Sequence, residues 1–343
     1  MYSTTIAVDL AKTVFEVAVS ERPGRITQRR RLTRAQFLHF FTQQTPATVL
    51  LEACGSSHHW ARQLRMLGHQ PRLLPPHRVR RYRTGNKTDR ADAKALLEAY
   101  RNEEILPVPV KSVDQQALTA LHRLRSRYLA TRTARINTLR GLLREFGLAV
   151  PKGGPRAAAR IQVLIDDPQT SIPAVLRPVL TEACQEIHEL TERMRALELT
   201  LETLGRRVPA VTRLRSIPGI GLLTATALVA FVGDARRFRS ARRFASYLGL
   251  TPREFSSGEI RRRGRITKHG DVYLRMLLIH GARSVLVSAA RRAELDRLRH
   301  WARSVATRRG HNIATVALAN RLARIAWAVW REDRSFVEVA QAA

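Results

Sequence analysis

The chain has 343 residues, with 60 Lys plus Arg against 28 Asp plus Glu and a formal net charge of +32. That length accommodates two or three domains with an ample core, and 44% hydrophobic residues exclude a disordered tail. Charge of this sign and size points to a polyanionic partner, nucleic acid first, because neutralising phosphates releases counterions. A ribosome-associated or merely basic protein is the plainer alternative.

Two cysteines, Cys54 and Cys184, make neither a disulfide framework nor a zinc finger. The opening MYSTTIAVDLAK lacks a charged stretch followed by an apolar core, so no signal peptide is expected. The longest mostly apolar run, GLLTATALVAFVG, is too short to span a bilayer. A cytoplasmic protein with no membrane partner, acting at the nucleoid, is the expectation.

Residues 1–107 mix strand and helix signals. TTIAVDL and VFEVAVS read as strands joined by a turn at AKT, and RITQRRRL as a third, polar strand. LTRAQFLHFFTQQ reads as a helix, ATVLLEA as a buried strand, HHWARQLRMLG as a helix and QPRLLPP as a short strand. A last helix runs through DRADAKALLEAYR. Three strands followed by alternating strand and helix is the order of an α/β ribonuclease-H-like fold.

Residues 113–207 look all-helical. Leu118, Leu121, Leu129, Ile136, Leu139 and Leu143 recur at helical intervals, and after the VPKGGP break so do Ile187, Leu190, Met194, Leu197 and Leu201. Such helices form a coiled coil between chains or a hairpin within one. Residues 208–343 read as mainly α, with a basic loop at 251–271.

The acids carry the chemistry. Asp89 and Asp92, three apart, share a helix face just after HRVRRYRTGNK. The plainer account makes Asp89 an N-cap and Asp92 its capping-box-like partner at a positive helix end. Asp9, inside a buried first strand, and Glu52, ending an apolar one, change that weighing, because a buried carboxylate wants a metal or a cation. In a ribonuclease-H-like fold these four would converge. Four carboxylates form an oxygen cage for Mg²⁺, and two such ions clamp both oxygens of a phosphodiester exchange. His58 and His59 more simply begin a helix than ligate metal.

VDLAK with Asp9, LLEA with Glu52 and KTDRADA with Asp89 and Asp92 resemble the RuvC-like DEDD domain of IS110-family transposases. In the third region, SIPGIGLLTATALVAFVGD reads as helix, hairpin, helix. Gly219 and Gly221 permit a tight turn with exposed backbone N–H groups, a phosphate-binding device, or an ordinary glycine turn. The phrase also resembles the helix-hairpin-helix of DNA-binding proteins.

Ser256 and Ser257 precede Gly258 in a loop flanked by Arg261, Arg262, Arg263, Arg265 and Lys268. Loop serines are usually loop residues and arginine runs usually phosphate contacts. SSG followed by GRITKHGD and LR is similar to the C-terminal domain of the same transposases. The resemblance implies that a serine here attacks DNA, Ser257 first and Ser256 as the alternative. It further implies a covalent phosphoserine link, Mg²⁺ held by Asp9, Glu52, Asp89 and Asp92, and an acidic site and serine drawn from different subunits. Partners implied are donor and target DNA, a structured guide RNA, and further copies of the chain as a dimer or tetramer, with the middle helices as the dimerisation device. A RuvC-like nuclease hydrolysing DNA junctions, its serine structural, is the competing reading.

Overall fold

The computed structural model describes residues 4–337 apart from Pro23, Lys87 and Ala293, with Pro155 described by its backbone alone. The chain forms two units, Met1–Ser112 and Val113–Ala343.

The first unit runs β1 (Thr5–Leu10), β2 (Val14–Ser20), β3 (Gln28–Thr33), α1 (Arg34–Thr42), β4 (Thr48–Glu52), α2 (Ser57–Met66), β5 (Gln70–Leu74), α3 (Pro76–Val79) and α4 (Asp89–Tyr100). The sheet order is β3-β2-β1-β4-β5. Short links make β1, β2 and β3 antiparallel, whereas the helical crossovers make β1, β4 and β5 parallel. Strand alternation divides the apolar side chains between two faces. Ile6, Val8, Phe15, Val17, Val49 and Leu51 pack under α1 and α2 with Phe37, Phe41, Trp60 and Leu64. Phe15, Phe37 and Trp60 meet edge to face at 4.9–5.3 Å. On the other face Ala7 and Leu50 pack with Ala95, Leu96 and Ala99 of α4.

The second unit is mostly helical: α5 (Val113–Glu145), α6 (Gly154–Asp166), α7 (Arg177–Arg206), α8 (Pro209–Arg215), α9 (Leu222–Val232) and α10 (Ala241–Tyr247), then strands β6 (Pro252–Glu254) and β7 (Arg263–Ile266), then α11 (Val272–Arg291), α12 (Arg297–Arg309) and α13 (His311–Arg331). The long helices α5 and α7 pack on each other within the chain. Arg125 pairs with Glu198 at 2.7 Å and Arg132 donates to Thr191 at 3.2 Å, so they run antiparallel. Ile136, Leu139 and Leu143 close a core with α6 and α7. The C-terminal part of the leucine stripe thus packs on α6 and α7 within the chain.

Helix α9 is apolar all round and buried from Thr224 to Ala230. Among the described residues, α11 is long and apolar enough to cross a membrane by length and composition. Its Leu274, Leu278, Ala282 and Val285 lie in the core instead. The segment read as a basic loop contains the antiparallel hairpin β6–β7.

Candidate active site

Strand parity decides where the carboxylates of the first unit stand. Asp9 is two residues from Ala7, and Glu52 two from Leu50, so both share the sheet face covered by α4. The β1–β4 register pairs Val8 with Leu51, so Asp9 and Glu52 follow side by side at the ends of two parallel strands. Both are half-buried.

Helix α4 brings the other pair. Thr88, not Asp89, is its N-cap: the Thr88 hydroxyl accepts from the Ala91 N–H at 3.2 Å. Asp89 and Asp92 occupy the first turn, where the helix dipole favours anions. The capping account of this pair therefore fails for Asp89. Asp92 is also no capping-box partner, because its carboxylate accepts from Arg83 at 3.1 Å. Asp89 is exposed and Asp92 half-buried.

A fifth acid belongs to this face. Glu16 on β2 is the register partner of Asp9, is only 9% exposed, and lies 3.7 Å from Arg90 in the first turn of α4. Sequence reasoning passed over it, although a glutamate at Ala18 parity within VFEVAVS carries the same signal as Asp9. His58 is engaged elsewhere, its Nδ1 accepting from the Lys111 N–H at 3.2 Å.

Among the described residues no group of three or more His, Cys, Asp or Glu side chains is gathered closely enough to hold a metal ion. The oxygen-only donor set of the face nonetheless fits a hard divalent cation in chemistry, and Arg83 is the cation that Asp92 meets.

In the second unit, β6 and β7 form an exposed arm. Phe255 donates its N–H to Arg262 O at 2.8 Å, and Ser257 and Ile260 exchange backbone bonds at 3.2 and 3.1 Å. Gly258, at φ +55°, and Glu259 form the two-residue turn between them. Ser257 is thus the corner residue of the tip. Neighbouring residues of a strand face opposite ways, so Ser256 and Ser257 present to opposite sides. Ser256 shares its face with Glu254, whose Oε1 accepts from its hydroxyl at 2.8 Å. Ser257 shares its face with Phe255. Both serines, Arg261, Arg262, Arg263, Arg265 and Lys268 are exposed.

The base of the arm is clamped. Gly249 and Gly270 have φ of +70° and +80°, and a Cβ on either would stand 2.0 Å from His269 O or 1.9 Å from Tyr247 O. Buried Arg275 donates from Nη1 to Leu248 O at 3.2 Å and His269 O at 3.0 Å. Sequence reasoning passed over Arg275 because its role depends on contacts with residues 6 and 27 positions away.

The glycines before α9 differ from one another. Gly219, at φ +83°, is packed against the backbone of Gly281, whose oxygen would lie 2.7 Å from an added Cβ. Gly221, the N-cap of α9, faces open space.

Comparison with known proteins covers both parts. Residues 6–147 match the DEDD domain of IS110 transposases, described as a transposase, and residues 211–297 match the transposase family IS116/IS110/IS902. The chain is 43% identical to a probable family 20 transposase of Pseudomonas aeruginosa over 98% of its own length and 99% of the relative's. It is 35% identical to the transposase for insertion sequence element IS1111A of Coxiella burnetii over 96% of its length and 90% of the relative's. A pilin gene-inverting protein of Moraxella lacunata is 34% identical over 36% of this chain and 37% of its own. The carboxylates and the serine arm fall within the two matched segments, and the chain belongs to the IS110 family of transposases.

Proposed function

We propose that this transposase cuts and rejoins DNA through a covalent phosphoserine intermediate at Ser257, assisted by a divalent cation at the acidic face. The observation that carries the reading is the position of Ser257. It is exposed at the corner of a clamped arm, within a matched transposase segment, and among the described residues its hydroxyl has no hydrogen-bond partner. The relative named as a pilin gene-inverting protein supports recombination rather than simple cleavage.

In the exchange, Ser257 Oγ forms a bond to phosphorus and the P–O3′ bond breaks. The serine proton passes through a carboxylate of the acidic set to the leaving oxygen. The bond energy is kept in the phosphoserine ester, and the second transesterification reverses the step on a new strand. Asp9, Glu52, Asp89 and Asp92 would hold the cation, Mg²⁺ first, which supplies Lewis acidity toward phosphate oxygens. Arg265 and Lys268 neutralise charge on the attacked phosphate, and Arg261, Arg262 and Arg263 contact the flanking backbone. Gly221, open at the start of α9, suits a phosphate contact of the helix-hairpin-helix kind, whereas Gly219 serves packing.

The five-stranded sheet, with its antiparallel β1–β3 and parallel β4–β5, supports a ribonuclease-H-like first domain at 1–107. Helices at 113–207 and a C-terminal domain at 208–343 complete the reading. Serine and acids are taken from different copies, in a dimer or tetramer. The charge of +32 supports simultaneous binding of DNA and a structured guide RNA.

Ser256 is the second reading for the nucleophile, favoured by its contact with Glu254. The test is a labelled DNA end incubated with Mg²⁺, RNA and protein, then run on a denaturing gel. An adduct lost in Ser257→Ala and Asp9→Ala but kept in Ser256→Ala supports the proposal. Loss in Ser256→Ala alone moves the nucleophile. Cleavage without any adduct, indifferent to both serines, identifies a hydrolytic nuclease.

A further inference from the structure

Beside the serine arm lies a cavity of about 1370 Å³, formed wholly within the second unit. One wall is the base of the arm, with Arg265 and Lys268. The other is α13, with Arg321 and Arg324, and Trp301 of α12 joins them. Asn320 of α13 donates to Leu250 O at 3.0 Å, which ties the two walls together. The floor is apolar, built on Ile279, Val316 and Ile325.

Its size exceeds the ~300–1,000 Å³ of ordinary small-molecule pockets, so it suits a short run of a chain. Every charged side chain lining it is cationic. The guanidinium of Arg321 lies over the Trp301 ring at 4.6 Å. Burial, with Arg324 and Arg297 nearby, also pushes the Arg321 guanidinium below its ordinary range.

These features select among occupants. A duplex offers phosphates but hides its base faces, which leaves the apolar floor in water. A second copy of a chain with a net charge of +32 would add cations to cations. An unpaired strand offers flat apolar bases for the floor and the Arg321–Trp301 pair, and phosphates for Arg265, Lys268 and Arg324.

We propose that this groove binds the unpaired DNA strand next to the phosphate that the serine attacks, holding several unstacked bases while the arm reacts. The proposal rests on the reading that the arm acts on DNA.

The test uses the full chain and a DNA duplex bearing a six-nucleotide overhang labelled with 2-aminopurine, compared with a blunt duplex and with an RNA overhang, at one fixed salt concentration. The overhang is expected to bind at least tenfold more tightly than the blunt end. Ala317→Phe, which fills the groove, and Trp301→Leu are expected to erase that preference while changing blunt-end affinity less than twofold. Arg324→Gln changes an exposed side chain and is expected to weaken overhang binding several-fold without altering thermal unfolding. Absence of an overhang preference, or one untouched in all three variants, overturns the proposal. So does stronger binding of the RNA overhang. A change in sedimentation mass in Ala317→Phe with DNA preference intact overturns it too, marking the groove as an interface between copies. The serine reading fails separately, as the absence of an adduct in wild-type protein.

Discussion

Arg275 Nη1 stands 3.0 Å from the carbonyl oxygen of His269, at the point where the serine arm returns to the helical core. The same nitrogen reaches Leu248 O at 3.2 Å, where the arm departs. One buried side chain thus closes both ends of a loop that carries the proposed nucleophile. Arg275→Met leaves two carbonyls short of a donor in the core, at a cost of ~1–3 kcal/mol. Denaturant unfolding is expected to show that loss, and limited proteolysis is expected to cut the arm faster than in wild type. Unchanged arm cleavage would remove the clamp from the account.

The glycines offer a contrast within one region. Gly270→Ala would drive a Cβ into Tyr247 O, and Gly219→Ala would drive one into Gly281 O, both at positive φ. Each is expected to destabilise the second unit by more than ~1 kcal/mol. Gly221→Ala has open space and φ of −86°. It is expected to leave the unfolding midpoint unchanged and, on the phosphate-contact reading, to lower DNA affinity. Thermal melts and DNA titrations of the three variants check both halves.

His122 gives a pH signature. It is fully buried between Thr226 Oγ1 and Tyr273 Oη, each 3.0 Å from a ring nitrogen. Burial, with Arg125 nearby, lowers its pKa from 6.5 to about 4. The unfolded chain therefore takes up a proton below pH 6.5 that the folded chain refuses. Stability contributed by the neutral ring is full above pH 6.5 and is lost as pH falls toward 4, by roughly 3 kcal/mol in all. Urea midpoints at several pH values are expected to show this slope, and His122→Asn is expected to flatten it.

The acidic face makes a metal prediction. Asp9→Asn and Asp92→Asn each remove a charged oxygen from the proposed cation set and are expected to weaken Mn²⁺ or Mg²⁺ binding at least tenfold by calorimetry, about 1.4 kcal/mol. Arg83→Gln removes the cation that Asp92 meets at 3.1 Å. It is expected to tighten metal binding while costing no more than ~1 kcal/mol of stability. Equal affinity in all four proteins would separate these residues from the metal.

Much of the first unit was legible because β-strands alternate. Asp9 and Glu52 stood out as charges at positions where the pattern demanded burial, and their register neighbours confirm a shared face. Glu16 carried the same signal and was missed inside a run of apolar residues. The role of Thr88 was hidden because Thr and Asp at adjacent positions compete for one cap. In the middle region the leucine spacing specified an apolar stripe without specifying what would cover it, and α6 and α7 of the same chain pack on its Ile136, Leu139 and Leu143. The arm was illegible for another reason. Its strands are short, rich in arginine and exposed, and its shape is held by Gly249, Gly270 and Arg275 through contacts that no local pattern announces.

The most direct measurement is mass spectrometry of the protein–DNA adduct after nuclease trimming and tryptic digestion. The peptide spanning residues 254–261 is expected to carry one nucleotide on Ser257, and Ser257→Ala is expected to give no adduct. A nucleotide on Ser256, or cleaved DNA with an unmodified peptide, would contradict it.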